Sequence, residues 1–149
     1  MKDRYLFRGQ RLDNTKYKGN WAIGGLVSNY FGYHIHQHEV TGKDMNTHIT
    51  GNFEVDPATI GQCTGLKDKN DSLIFEGDII IAAEPNHPNE DIQLEVFTVL
   101  WYRDCWGREN TKTKEFSTGF YGSGVMEIIG NAHDNPELLE SEVKLNENN

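Results

Sequence analysis

A chain of 149 residues with 36% hydrophobic content, 15 glycines and 4 prolines is one domain's worth of protein, with a small core and many tight turns. Its formal charge of -9 at pH 7, with no basic run denser than Arg108 to Lys114, argues against nonspecific nucleic-acid binding, which depends on neutralising phosphates. An acidic balance suits solubility or a basic partner.

Tyr5-Leu6-Phe7-Arg8 predicts a first strand, followed by a polar turn through Asn14-Thr15-Lys16. Trp21 to Val27 resumes the apolar pattern, with Gly24-Gly25 inside it marking a bulge or bend. Tyr30 to Val40 alternates as a strand, and the polar stretch Gly42 to Gly51 predicts a loop. Phe53-Glu54-Val55 leads into the most distinctive part of the chain, Val55 to Ile81. There Asp56-Pro57 sets an extended or turn start, because proline fixes its own φ and pushes the preceding residue out of the helical region. Gly61 and Gly65 bracket a short strand, and Lys67 to Ser72 is a polar turn. Leu73-Ile74-Phe75 is a second apolar run, and Gly77-Asp78 kinks the chain before Ile79-Ile80-Ile81.

Glu84 to Asp91 holds Pro85 and Pro88 and predicts an excursion away from any sheet. Leu94 to Tyr102 predicts a long strand, Asp104 to Thr113 a loop, and Phe116 to Tyr121 another strand. Gly122-Ser123-Gly124 turns the chain, and Val125 to Ile129 closes the sheet. Asn135 suits an N-cap, Pro136 the first helical position, and Glu137 and Glu140 the first turn. Leu139 and Val143 lie one turn apart, so a short helix over 134–145 is expected, one that must dock on the sheet or on another chain. Short strands with closely spaced turn signals define an all-β fold of short antiparallel strands. We expect a single domain over 1–140, built from an N-terminal β lobe (1–54), a small SH3-like barrel (55–133) and the short C-terminal helix, with 146–149 as a solvated tail.

Two cysteines, Cys63 and Cys105, are too far apart for a C-x-x-C pair and read as reduced thiols. Met1-Lys2-Asp3-Arg4 opens without the apolar region of a secretory signal, and no run approaches the ~20 apolar residues of a membrane span. The expectation is a cytoplasmic protein without membrane contact.

The central stretch also carries a resemblance. D-P-A-T-I-G-Q-C-T-G-L-K-D-K-N over 56–70, followed by I-F-E-G-D-I-I over 74–80, resembles the signature of the YopX family of phage and prophage proteins. Both flanks add to it, through Phe7-Arg8-Gly9-Gln10-Arg11-Leu12-Asp13-Asn14, Ile129-Gly130-Asn131 and Asn135-Pro136-Glu137-Leu138-Leu139. The resemblance runs over roughly residues 4 to 139. Two positions depart from it: Asn70-Asp71 stands where the family tends to have Asn-Gly, and Cys63 where it tends to have an aromatic. The family has no established biochemical function, so the resemblance implies a phage or prophage protein in the host cytoplasm and no particular activity.

The histidine run Tyr33-His34-Ile35-His36-Gln37-His38-Glu39 is the leading candidate for chemistry. On a strand His34, His36 and His38 project together, and an H-x-H pair can supply two ligands to zinc or another divalent ion. The outer two lie about 13 Å apart on a flat strand, too far to share one ion, so a site through His34 and His36 needs a third ligand such as His48, His133 or Glu39. Otherwise the strand is an exposed face, or an interface that gains charge below ~pH 6.5. Glu76 and Asp78 could form a carboxylate pair, but Gly77 between them is more simply a kink with the acids solvated at its edge.

Asp68-Lys69-Asn70-Asp71-Ser72 fails as a calcium loop, since Leu73 stands at the required glycine and Ile79 at the bidentate glutamate. A hairpin turn is the better reading. Gly61 to Gly65 lacks the Gly-Lys-Ser/Thr ending of a phosphate loop, and no cation near Cys63 in sequence marks it as a reactive thiol. Trp21, Trp101 and Trp106 suit core packing better than base stacking. The sequence therefore predicts no catalytic residue and no cofactor. It points to a noncatalytic protein that self-associates into a homo-oligomer and meets a phage or host partner. A small-barrel nucleic-acid module and a metal-dependent role through the histidine strand are the alternatives.

Overall fold

The computed structural model describes residues 5–13, 18–41, 47–83, 94–118 and 126–140, without the side chains of 38–41 and 47–50. The chain is mainly β, in two antiparallel sheets, and divides into two compact units, Met1–Gly65 and Leu66–Asn149.

The first unit holds β1 (Phe7–Gln10), β2 (Trp21–Asn29), β3 (Gly32–Thr41), β4 (Thr47–Glu54) and most of β5 (Gly61–Lys67), in the order β4-β3-β2-β1-β5. The expected loop over Gly42 to Gly51 is in its second half a strand. β4 lacks an apolar run, but it runs in unbroken register against β3, from His34 opposite Glu54 to Thr41 opposite Thr47. Backbone hydrogen bonds to β3 thus make a strand of a polar sequence. Residues 42–46 lie outside the described residues.

Gly24-Gly25 marks no bulge either, because β2 pairs with β1 and β3 without a shift. Gly24 is needed for close approach: a Cβ there would run into the His36 carbonyl. Ala22, Ile35 and Val55 form the core, with Phe7, Leu26, Phe53 and Ile60 against it. Gly9 lets β1 lie on Val55, whose Cβ would be 2.8 Å from an added methyl. Past the ends of β1 and β4 the chain is tied together, with Arg11 bridging to Val55 and the Leu12 N–H donating to the Glu54 carbonyl at 2.9 Å.

The Asp-Pro-Ala-Thr turn completes this unit. The Asp56 carboxylate accepts from Ala58 N (2.9 Å), and buried Thr59 donates to Asp56 O (2.7 Å) while accepting from Gln10 N (2.8 Å).

The second unit contains the end of β5, β6 (Leu73–Phe75) and a five-stranded sheet. That sheet comprises β7 (Asp78–Ala83), β8 (Leu94–Tyr102), β9 (Cys105–Asn110), β10 (Phe116–Thr118) and β11 (Glu127–Asn131), in the order β10-β9-β8-β7-β11. Among the described residues this sheet is open, so the expected SH3-like barrel is replaced by a meander to which the last strand returns beside β7. The expected loop over Asp104 to Thr113 is largely β9, which finds hydrogen-bonding neighbours on both sides in β8 and β10. Of the strand expected over Phe116 to Tyr121, residues 119–121 lie outside the described residues, as does the turn at 122–124.

The core here is Ile74, Ile80, Ala82, Phe97, Val99 and Met126, with Trp106 and Ile128 packed on it. Arg108 is also buried, its guanidinium 4.2 Å over the Phe97 ring and its Nη2 donating to Ala83 O at 3.1 Å. A planar, weakly hydrated cation can cap an aromatic face in this way.

The C-terminal helix is reduced, among the described residues, to one 3-10 turn over Pro136–Leu139; 141–145 lie outside them. Asn135 does not cap it with its side chain. Its Oδ1 accepts instead from Asn131 N at 3.2 Å, while the Asn131 side-chain oxygen accepts from His133 N (3.0 Å) and Asp134 N (2.9 Å). These asparagines staple the turn to the end of β11. Gly130 makes room, since a Cβ there would stand 2.5 Å from Asn135 Oδ1 and 3.1 Å from Leu138 Cδ1.

Candidate interaction surface

The histidine strand is β3. His34 faces Val27 of β2 and Glu54 of β4, and His36 faces Gly25 and Asn52, so both lie on one face of the sheet, away from the Ile35 side. His36 is exposed; His34 is half-buried, with its Nδ1 enclosed and without a hydrogen-bond partner among the described residues. The side chains of His38, Glu39 and His48 lie outside the described residues, and His133 sits on the turn after β11 in the second unit. Among the described residues no three His, Cys, Asp or Glu side chains gather as metal ligands.

Of the two acids of the Glu76-Gly77-Asp78 kink, Glu76 is half-buried and Asp78 is buried. Asp78 is not solvated as expected: it is buried, and its carboxylate accepts from Phe75 N at 2.7 Å, closing the turn in which Gly77 takes φ +85°. Asp68 is likewise an internal brace. One oxygen accepts from Asn70 N (2.9 Å) and Ser72 N (3.0 Å), and the other from Ile128 N (3.1 Å) on β11. The stretch is a hairpin turn, as expected, and Asp71 adopts φ +65°, the left-handed conformation for which glycine is the easier residue. Cys63 is buried and Cys105 is half-buried, and neither forms a disulfide.

The surface features that sequence reasoning missed are aromatic. Tyr30 and Phe31 form the two-residue tip between β2 and β3, 97% and 82% exposed, with their rings edge to face at 5.7 Å. The tip is built, not frayed: the Asn29 side chain accepts from Phe31 N at 2.8 Å, and Gly32 takes φ +131° to re-enter the ladder. Asn29 and Gly32 flanking two aromatics were the signal, hidden because Tyr30 also fits the start of a strand.

In the second unit the end of β8 repeats the theme. Trp101 and Tyr102 are about half exposed, Trp101 stands edge to face on Trp106 at 5.0 Å, and Arg103 lies 5.3 Å over Tyr102. Only Trp106 of this group serves the core. Isolated exposed rings are ordinary, whereas aromatic residues are enriched at protein contact sites.

These are the marks of a β protein whose distinctive motif holds turns and whose exposed chemistry is aromatic. Residues 10–140 match the family model described as YopX protein, and the chain belongs to that family. No curated protein matches it. Among solved structures it is similar to protein EF1440 from Enterococcus faecalis, at 19% identity over 91% of this chain and 96% of that one, with a TM-score of 0.47. No helix among the described residues is long and apolar enough to cross a membrane.

Proposed function

We propose that this YopX-family chain is a phage or prophage accessory protein of the host cytoplasm, noncatalytic and self-associating, that presents an aromatic hairpin to a phage or host protein. The observation that carries this reading is the Tyr30–Phe31 tip, where two large rings are exposed on a turn whose backbone is pinned by Asn29. Burying such rings is the main source of energy at contact sites, and a rigid turn loses little entropy on docking.

Light scattering and pull-down from induced cells test it, comparing the natural chain with the double variant Tyr30→Ser, Phe31→Ser. The expected result is an oligomer, with capture of a phage or host protein that the variant loses. A strict monomer that captures nothing overturns the reading. A second reading, a nucleic-acid module, draws on Trp101, Tyr102 and Arg103, whose rings and guanidinium suit base stacking, against a net charge of -9. A gel shift with single-stranded oligonucleotide that weakens with salt would favour it over the first.

A further inference from the structure

The sheet edges of this chain are treated unequally. Among the described residues β6 and β10 are three residues each, too short to offer a ladder. β11 carries a register shift between Ile128 and Gly130, and an ion pair between Lys69 and Glu127 at 2.6 Å stands at its start. Short strands, bulges and charge are the devices by which proteins blunt open edges. From Thr47 to Phe53, β4 has none of them. It is eight residues long, in unshifted register with β3, and Thr-His-Ile-Thr-Gly-Asn-Phe-Glu contains no lysine and no proline.

The direction of its free groups follows from two bonds. Val55 N donates to Tyr33 O at 2.9 Å, toward β3, whereas the Glu54 carbonyl accepts from Leu12 N, away from β3. Main-chain groups alternate in direction along a strand, so those of His48, Thr50 and Asn52 face away from β3. Among the described residues no strand pairs with them, and the Arg11–Leu12 segment covers only the Glu54–Val55 end.

We infer that the open edge of β4 is the self-association site, where β4 of a second copy pairs with it antiparallel about a two-fold axis at Thr50. This inference rests on the self-association proposed above and assigns it a place. In that register Thr50 meets Thr50 of the second copy, and His48 and Asn52 each meet the other's counterpart, so every outward donor faces an outward acceptor. Charge is compatible, because positions 47–53 contain no Asp, Glu, Lys or Arg and the Glu54 carboxylates fall outside the paired stretch. An isologous contact of this kind closes at two copies.

Three variants test it, the two cysteine ones in a Cys105→Ser background, where the fully buried Cys63 is the one native thiol left. At a directly opposed hydrogen-bonded pair the Cα atoms are about 5.5 Å apart, within disulfide reach. Thr50→Cys under mild oxidation is therefore expected to run as a covalent dimer on a non-reducing gel, while Ser28→Cys, on an exposed part of β2, stays monomeric. Thr50→Pro removes an outward N–H without touching the β3 ladder. It is expected to halve the mass found by light scattering, with the far-ultraviolet circular dichroism unchanged. If the natural chain associates but Thr50→Cys does not cross-link and Thr50→Pro keeps the natural mass, the β4 assignment is overturned and self-association stands. A monomeric natural chain overturns both.

Discussion

Burial pushes the Asp68 carboxyl toward its neutral form, but hydrogen bonds from the Ile128, Ser72 and Asn70 N–H groups, and then the Lys69 charge, outweigh it and hold the group below its ordinary value of 3.8. A depressed carboxyl contributes stability that is fully present above the unfolded value, near pH 4, and is lost as pH falls through the folded value. Asp68→Asn keeps the size but replaces one accepting oxygen with a donor. We expect it to cost about 1–3 kcal/mol at pH 7 and to flatten the acid limb of the stability curve. Urea unfolding followed from pH 7 to pH 2 checks this; an unchanged acid limb would remove Asp68 from the account. At this scale much was legible: Asp56-Pro57 as a turn start, the Lys67 to Ser72 turn and the Gly77 kink all follow from residue chemistry. What could not be read was the far partner, since nothing in Asp68 names Ile128.

Elements were legible where the chain supplied its own signal and illegible where a neighbour did. β7, with Ile79, Ile80 and Ile81, is a strand by composition, while β4 and β9 are strands because β3 and β8 hydrogen-bond them. Conversely, the caps that pointed to a C-terminal helix hold another structure, since Asn135 faces back to Asn131. Gly24 shows what a misread glycine does. It serves neither a bend nor a bulge, only the close approach of β3, so Gly24→Ala forces the two strands apart and should destabilise the first unit by about 1–3 kcal/mol. Gly25, beside it, has open space at its Cβ position, and Gly25→Ala should be well tolerated. Thermal melts of the two variants decide the matter. Equal melting points would mean that β2 and β3 lie farther apart than described.

For the molecule as a whole, the all-β class and the family were readable, whereas the way the second sheet ends was not. Closing a barrel or leaving it open depends on where β11 goes, and its apolar residues would suit either edge. Its placement beside β7 has a consequence for synthesis. The strands β7, β8, β9 and β10 pair in the order in which they are made, but β7 receives its other neighbour only when β11 emerges, after all of them. Through that interval a nascent chain carries a bare isoleucine-rich strand of the kind that aggregates. A chain ended after residue 125 should therefore collect in the insoluble fraction of a cell-free translation in which the full chain remains in solution, and supplying residues 126–140 as a separate peptide during translation should recover part of it. A soluble truncated chain would mean that β7 is guarded by something other than its last-made neighbour.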